Sequence, residues 1–361
     1  MAAKKNIRVL IVDDSAVIRK ILSEVLSSDD EIEVVGTAID PYIAREKIKL
    51  LNPDVLTLDV EMPKMNGISF LRNLMRLRPM PVVMVSSLTQ KGADIALEAL
   101  GLGAIDYVGK PDAQCKSKLS DYAEEIINKV KIAASVNRVT DSSAQVTHPV
   151  NSPVGAVSSN KSLNNKCKQE IIAIGASTGG TEAIKDILCD LQPGSYSMVI
   201  VQHIPKAFSK AFAHRVNNMS ALEVVEAEDK QKILPGHAYI APGDQHLKVV
   251  RKNDSYFCQL DDSEPYNRHK PSVDILFKSL CESAGDNTIG IILTGMGADG
   301  ARGLKEMQES GAITIAQDEQ SSVVWGMPGE AVKLQAADFV LPLNKITDKL
   351  TRLIKSNTNK Q

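Results

Sequence analysis

Short runs of aliphatic and β-branched residues alternate along the chain with stretches in which apolar positions recur every three to four residues. In the first third the pattern predicts strands at 8–12, 33–37, 55–58, 82–85 and 106–108, and helices near 16–27, 44–51, 67–78, 94–101 and 117–134. Five such βα repeats predict a doubly wound parallel sheet, a (βα)5 domain. Alternation resumes with strands at 171–174, 197–201, 289–293 and 313–317 and helices near 181–191, 208–216, 273–283 and 300–309. This half also reads as an α/β domain built on a parallel sheet. An antiparallel hairpin insertion is expected in the β-rich stretch at 222–260, where the turn pairs Pro235-Gly236, Pro242-Gly243 and Asn253-Asp254 cluster. Between the halves, 15 of the 28 residues at 141–168 are Ser, Asn, Pro, Thr, Gln or Gly, and none is aromatic. That is a linker composition, and a flexible coil of this length spans on the order of 30 Å. The division predicted is 1–138, a linker over 139–168, a second domain over 169–355 and a tail at 356–361.

Composition narrows the chemistry. The 361 residues are enough for two or three cores, and 42 basic against 44 acidic residues give a net charge of −2. No basic patch is interleaved with the 14 aromatic residues, so nucleic acid is not expected as a partner. The five cysteines (115, 167, 189, 258 and 281) suggest neither a metal knuckle nor a disulfide framework. The short basic start at Lys4-Lys5 leads into no signal-type apolar region, and no 18-residue apolar stretch occurs, so a cytoplasmic protein without membrane insertion is expected.

In an open α/β sheet, ligands collect at the carboxyl ends of the strands. In the first half these ends carry Asp13-Asp14, Asp59, Ser86-Ser87 and, after the fifth strand, Lys110-Pro111. Three carboxylates at one rim repel one another unless a cation sits among them, and all-oxygen ligation favours Mg²⁺ or Mn²⁺. A hydroxyl and an ammonium beside that ion suit a transferring phosphoryl group, with Asp59 as its acceptor. The segment 7–135 resembles a response-regulator receiver domain, on V-D-D-S at 12–15, L-D-V-E-M-P at 58–63 with Asn66-Gly67, V-S-S at 85–87 and D-Y-V-G-K-P at 106–111. The resemblance implies phosphorylation of Asp59 by a histidine kinase or small phosphodonor and Mg²⁺ held by Asp13, Asp14 and Asp59. It also implies phosphoryl contacts from Ser86 and Lys110, and a Tyr107 that moves on activation. Ser86 stands where the family usually has Thr, which keeps the hydroxyl.

In the second half, Gly175-Ala176-Ser177-Thr178-Gly179 is a G-x-S-x-G run on a strand-to-helix turn, suited either to an exposed nucleophilic serine or to a phosphate cradle. His203 ends the next strand, 26 residues later, where neighbouring parallel strands would bring it beside Ser177 as a general base. Asp299, in the loop after the 289–293 strand, is the candidate carboxylate to orient it. That loop also spells a dinucleotide fingerprint, Gly295-x-Gly297-x-x-Gly300, with Asp318 about 20 residues on, so a Rossmann-like nucleotide-binding or non-catalytic interaction module is the alternative.

The region 169–355 resembles the catalytic domain of the chemotaxis protein-glutamate methylesterases. The likeness rests on I-G-A-S-T-G-G at 174–180, V-Q-H at 201–203, H-K-P-S-V-D at 269–274, L-T-G-M-G-x-D-G at 293–300 and V-W-G-M-P-G at 324–329. It implies a serine hydrolase that demethylates glutamate esters and deamidates glutamines on chemoreceptors, with the Met296 N–H as oxyanion donor and no cofactor in this domain. An unphosphorylated receiver packed over the catalytic strand ends is the expected mode of control. The run Arg268-His269-Lys270-Pro271 reads either as a solvated loop or as contact for an acidic receptor surface. His214, His237 and His246 read as surface residues.

Overall fold

A computed structural model describes residues 6–62, 65–87, 89–110, 119–140 and 170–358. The expected linker falls outside these residues apart from its first two, as do Pro111 and the end of the tail.

The first domain follows the predicted order: β1 (Ile7–Val12), α1 (Ala16–Leu26), β2 (Ile32–Ala38), α2 (Pro41–Leu51), β3 (Val55–Asp59), α3 (Gly67–Leu77), β4 (Val82–Ser86), α4 (Gln90–Gly101), β5 (Asp106–Gly109) and α5 (Leu119–Thr140). The strands are parallel in the order β2-β1-β3-β4-β5. Buried on both faces, β3 and β4 are near-continuous apolar runs, as a sheet covered by helices requires. Local chemistry sets the helix limits. Asp40 caps α2 by accepting from the N–H groups of Tyr42 and Ile43, Pro41 begins it, and Asn52 ends it in the left-handed region. Helix α5 runs to Thr140, past the predicted domain boundary at 138.

The second domain comprises β6 (Glu170–Ala176), α6 (Gly180–Asp190), β7 (Tyr196–Gln202), α7 (Lys206–Asn217), β8 (Glu223–Glu226), β9 (His237–Ile240), β10 (His246–Lys252), β11 (Ser255–Asp261), α8 (Val273–Ser283), β12 (Thr288–Ile292), α9 (Ala301–Glu309), β13 (Ile313–Gln317), α10 (Met327–Lys333), β14 (Phe339–Leu341) and α11 (Leu343–Thr358). Seven strands form a parallel sheet ordered β14-β13-β12-β6-β7-β9-β8. The β-rich insertion is therefore two things. Strands β8 and β9 extend the main sheet in parallel, and only β10-β11 form an antiparallel hairpin, turning at Asn253 with φ of 53°. Helix α11 closes the second domain, burying Ile346 and Leu350, and its last three residues, 356–358, run into the expected tail. Among the described residues no helix is long and apolar enough to cross a membrane.

Candidate active site

Strand order brings the chemistry together. β6 lies between β12 and β7, so the turns after these three strands share one rim of the sheet. Ser177 follows β6. Its N–H donates to the Thr294 carbonyl (3.0 Å), and its own carbonyl accepts from the N–H of Gly180 (2.7 Å), at the start of α6. Gly179 turns with φ of 78°, a region open to glycine at little cost. The Ser177 turn thus rests against a helix N-terminus, where partial positive charge gathers. Gly295 must be glycine for a different reason: a Cβ there would lie 2.8 Å from that of Ser177.

His203 leaves β7 with its N–H bonded to the Ala176 carbonyl (3.0 Å), which fixes it beside the serine turn. Its Nε2 sits 2.9 Å from Asp299 Oδ2, while its buried Nδ1 has no hydrogen-bond partner among the described residues. The free nitrogen is therefore Nδ1, the reverse of the assignment in chymotrypsin-type triads. Among the described residues Ser177 Oγ makes no hydrogen bond to it, a looseness common before substrate arrives. Asp299 is almost fully buried and accepts further bonds from Ser272 Oγ (2.8 Å) and the N–H groups of Val273 (2.7 Å) and Asp274 (3.3 Å). Burial alone would raise its pKa, but the His203 contact and these donors outweigh that and hold it at about 2. Asp274 is raised to about 6, chiefly by burial and further by the neighbouring Asp299, against the lowering pull of the Gly303 and Gly300 N–H groups and of Arg302. The Met296 N–H makes no hydrogen bond within the described residues and borders the same cleft of about 1270 Å³.

Two histidines that the sequence did not assign to this site are part of it. His269 stacks on His203, with ring centroids 3.8 Å apart and planes within 8°. Burial first and the His203 charge second lower its pKa to about 4, so it stays neutral at ordinary pH. His246 is fully buried, not a surface residue: its Nδ1 accepts from the Ser272 N–H (3.1 Å) and its Nε2 reaches the Glu264 carbonyl (3.1 Å). It pins both ends of the segment that carries His269 and leads to α8. Gln202 likewise donates from Nε2 to the carbonyls of Ser177 (2.9 Å) and His203 (3.2 Å), tying nucleophile and base turns together.

Two of the three glycines of the apparent dinucleotide fingerprint serve the same geometry. Beside Gly295 against Ser177, a Cβ on Gly300 would meet Val273 at 2.4 Å. Asp318, the would-be ribose acid, accepts from the N–H (3.0 Å) and hydroxyl (2.6 Å) of Ser321.

In the first domain, Asp13, Asp14 and Asp59 each place a carboxylate oxygen within 4.8 Å of the others. Asp13 and Asp59 are buried, Asp14 exposed. Lys110 Nζ approaches Asp59 Oδ2 (2.8 Å) and Asp13 Oδ2 (3.4 Å). Burial and the neighbouring Asp13 charge nonetheless raise Asp59 to about 6. Raised carboxylates facing a single ammonium are under-neutralised, and this all-oxygen set fits a small hard divalent cation. Ser86 is buried on the same rim, its hydroxyl turned to the Gly92 carbonyl (3.2 Å).

The first domain meets this cleft through the start of β5, at the end of the strand away from Ser86, Lys110 and the acidic rim. Asp106 Oδ2 accepts a buried 2.6 Å hydrogen bond from Thr178 Oγ1, the residue after Ser177. Tyr107, buried, stacks its ring on Phe208 of α7 at 4.4 Å. Lys129 of α5 binds the Tyr107 carbonyl (2.6 Å) and pairs with Asp106 (3.3 Å) and Glu125 (2.9 Å). Arg215 of α7 donates to the Leu97 carbonyl of α4 and pairs with Glu182 (3.4 Å). Tyr107, the residue expected to move on activation, thus packs on α7 of the second domain, and its neighbour Asp106 touches the serine turn. A buried hydrogen bond to a carboxylate contributes roughly 1.5–3 kcal/mol. Asp106→Ala is expected to raise hydrolysis without a phosphodonor by roughly 10-fold, leaving the phosphorylated rate unchanged; equal basal rates in variant and parent would show that this bond does not hold the domains closed.

Comparison with known proteins agrees with this architecture. A family model described as the response regulator receiver domain matches residues 9–119, and one described as CheB methylesterase matches 172–350. A protein-glutamate methylesterase/protein-glutamine glutaminase of Hydrogenovibrio crunogenus is 54% identical over 373 positions, 97% of this chain and 99% of its own. One from Xanthomonas euvesicatoria is 54% identical over 358 positions, covering 98% and 99%. The crystal structure of the Thermotoga maritima CheB methylesterase catalytic domain is 40% identical, covering 51% of this chain and 98% of that chain with a TM-score of 0.49. With identity of this level over nearly its whole length, the chain belongs to the protein-glutamate methylesterase/protein-glutamine glutaminase family, a receiver domain joined to a methylesterase domain.

Proposed function

We propose that this chain hydrolyses glutamate methyl esters, and deamidates glutamines, on the cytoplasmic helices of chemoreceptors, with Ser177 as nucleophile, His203 as general base and Asp299 as its orienting carboxylate. The observation that carries this assignment is the His203–Asp299 pair standing beside the Ser177 turn on three adjacent strands. Ester and amide are both side-chain acyl groups, so one sequence of steps serves both. Ser177 Oγ bonds to the carbonyl carbon as its proton passes to His203 Nδ1. The bond to methoxide or amide then breaks as that proton moves to the leaving group, releasing methanol or ammonia. Water repeats the cycle on the acyl-enzyme and regenerates the serine. The Met296 N–H and the α6 N-terminus offer donors to the oxyanion. His203 gains positive charge next to an ionised, fully hydrogen-bonded Asp299, while His269 remains neutral against its face.

Control is exerted from Asp59. Asp13, Asp14 and Asp59 would hold Mg²⁺, which when bound neutralises charge on a phosphoryl group donated by the sensor kinase or a small phosphodonor. Lys110 and Ser86 would contact that group's oxygens. Drawing Ser86 and Lys110 to it would break the present Ser86 contact to α4 and disturb Tyr107, which packs on Phe208, so that the receiver leaves the catalytic rim. The test is methanol release from methylated receptor with and without acetyl phosphate and Mg²⁺. Release that rises with the phosphodonor is expected; no release in either condition would sink the assignment.

A further inference from the structure

Helix α5 lays an acidic helical face across the mouth of the catalytic cleft. Glu124, Glu125, Asn128 and Lys129 line the same cavity as Ser177 and His203. Glu124 and Asn128 are one helical turn apart and so lie on one face of α5. Glu124 Oε1 meets the guanidinium of Arg268 at 2.9 Å. That arginine is presented by an unusual turn. Tyr266 and His269 exchange N–H···O=C bonds of 3.1 and 2.9 Å, and the two residues between them, Asn267 and Arg268, have φ of 51° and 67°. A type I′ turn has this form, and it strongly prefers Asn or Gly; Asn267 suits it, but an arginine in the left-handed region is disfavoured. Asn267 secures the turn from outside by donating from Nδ2 to Asp274 Oδ2 (2.9 Å). The next residue, His269, is the one stacked on His203. Lys270 is engaged elsewhere, by Asp262 at 2.5 Å. The Arg268 side chain is 84% exposed, and within the described residues Glu124 is its partner. A rigid, disfavoured turn thus holds a cation at the lip of the cleft, and in the closed molecule that cation is met by a glutamate on a helix.

We propose that Arg268 is the docking point for a carboxylate one helical turn from the reacting side chain on the substrate helix, and that Glu124 of α5 holds this point in the closed molecule. The partner is an acidic protein helix, and the receiver blocks the cleft by imitating it. This inference rests on the hydrolase assignment above and adds a specificity determinant to it. A substrate with glutamates beside its ester would be preferred over one with glutamines there, and each demethylation would add another carboxylate for the next encounter.

The experiment uses the full chain, acetyl phosphate and a helical peptide carrying one glutamate methyl ester. The peptide is made with either glutamates or glutamines three and four residues from the ester. Ion pairs as exposed as this one are modest, so Arg268→Gln is expected to raise KM for the glutamate peptide by roughly three-fold, with kcat unchanged and no effect on the glutamine peptide. Arg268→Lys should restore most of the preference. Glu124→Gln should raise activity without phosphodonor by roughly two- to three-fold and leave KM of the phosphorylated protein as it was. Equal KM changes on both peptides, or a fall in kcat through a disturbed His269 stack, would overturn the docking role. Methanol released from either peptide by the parent protein keeps such a failure separate from failure of the hydrolase assignment itself.

Discussion

Ser177→Ala should lower methanol release by about a million-fold, the scale on which serine hydrolases lose rate when their nucleophile is removed. The prediction is clean because the change is small everywhere else. Among the described residues the serine hydroxyl makes no hydrogen bond, whereas the main-chain bonds of residue 177 to Thr294, Gly180 and Gln202 do not depend on the side chain. Thermal stability should therefore stay within about 0.5 kcal/mol of the parent. Phosphorylation at Asp59 should also persist, since that rim contributes no atom to the change. Residual hydrolysis within a hundred-fold of the parent would mean that another group attacks the carbonyl.

Asp299→Asn should lower kcat by roughly ten thousand-fold. Each carboxylate oxygen is fully used: Oδ2 faces His203 Nε2 and the Val273 N–H, and Oδ1 faces Ser272 Oγ and the Asp274 N–H. An amide NH₂ at either place points a donor at a donor. Turned toward His203, it forces the proton onto Nδ1, the nitrogen that must accept from Ser177. Turned the other way, it faces the Asp274 N–H and the Ser272 hydroxyl and leaves one buried donor unsatisfied, at a cost of about 1–3 kcal/mol. Stability carries a pH signature as well. The carboxylate's folded pKa, about 2, lies below the unfolded value of 3.8, so its contribution is present above pH 4 and is lost as pH falls through 2. The gap in unfolding free energy between parent and variant should thus hold from pH 8 to 4 and narrow below. A gap that widened on acidification, or kcat within ten-fold of the parent, would contradict this role for Asp299.

Much of this arrangement was legible in the sequence because parallel α/β domains write it locally. Strands buried on both faces are continuous apolar runs, and each ends where the chemistry begins, so Asp13, Asp59, Ser177, His203 and Asp299 could be placed on strand ends by counting repeats. Adjacency was harder. Nothing in the spacing from 177 to 299 says that β12 returns beside β6, yet that return makes the site. The histidines show the limit more sharply. His203 and His246 look alike in sequence, one ending a strand and one starting a hairpin. What separates catalytic candidate from scaffold is a pair of bonds to Ser272 and Glu264, 26 and 18 residues away. The Thr178–Asp106 bond spans 72 residues and two domains, beyond any local pattern. Helix α11 is a different case. Leu343, Ile346, Leu350 and Leu353 carry the three-to-four spacing of a helix, although no helix was expected there.

The bond from Asp106 to Thr178 has a consequence that runs opposite to the flow of control. If one equilibrium between closed and open molecules decides both whether the cleft is free and whether the receiver favours its phosphorylated form, then any ligand that selects the open molecule also selects that form, by the same free energy. A receptor helix in the cleft would then act as an effector of the receiver, increasing its affinity for phosphoryl mimics as much as those mimics increase its affinity for the helix. Crowded arrays of substrate would in this way hold the enzyme in its active state longer than the phosphodonor alone could.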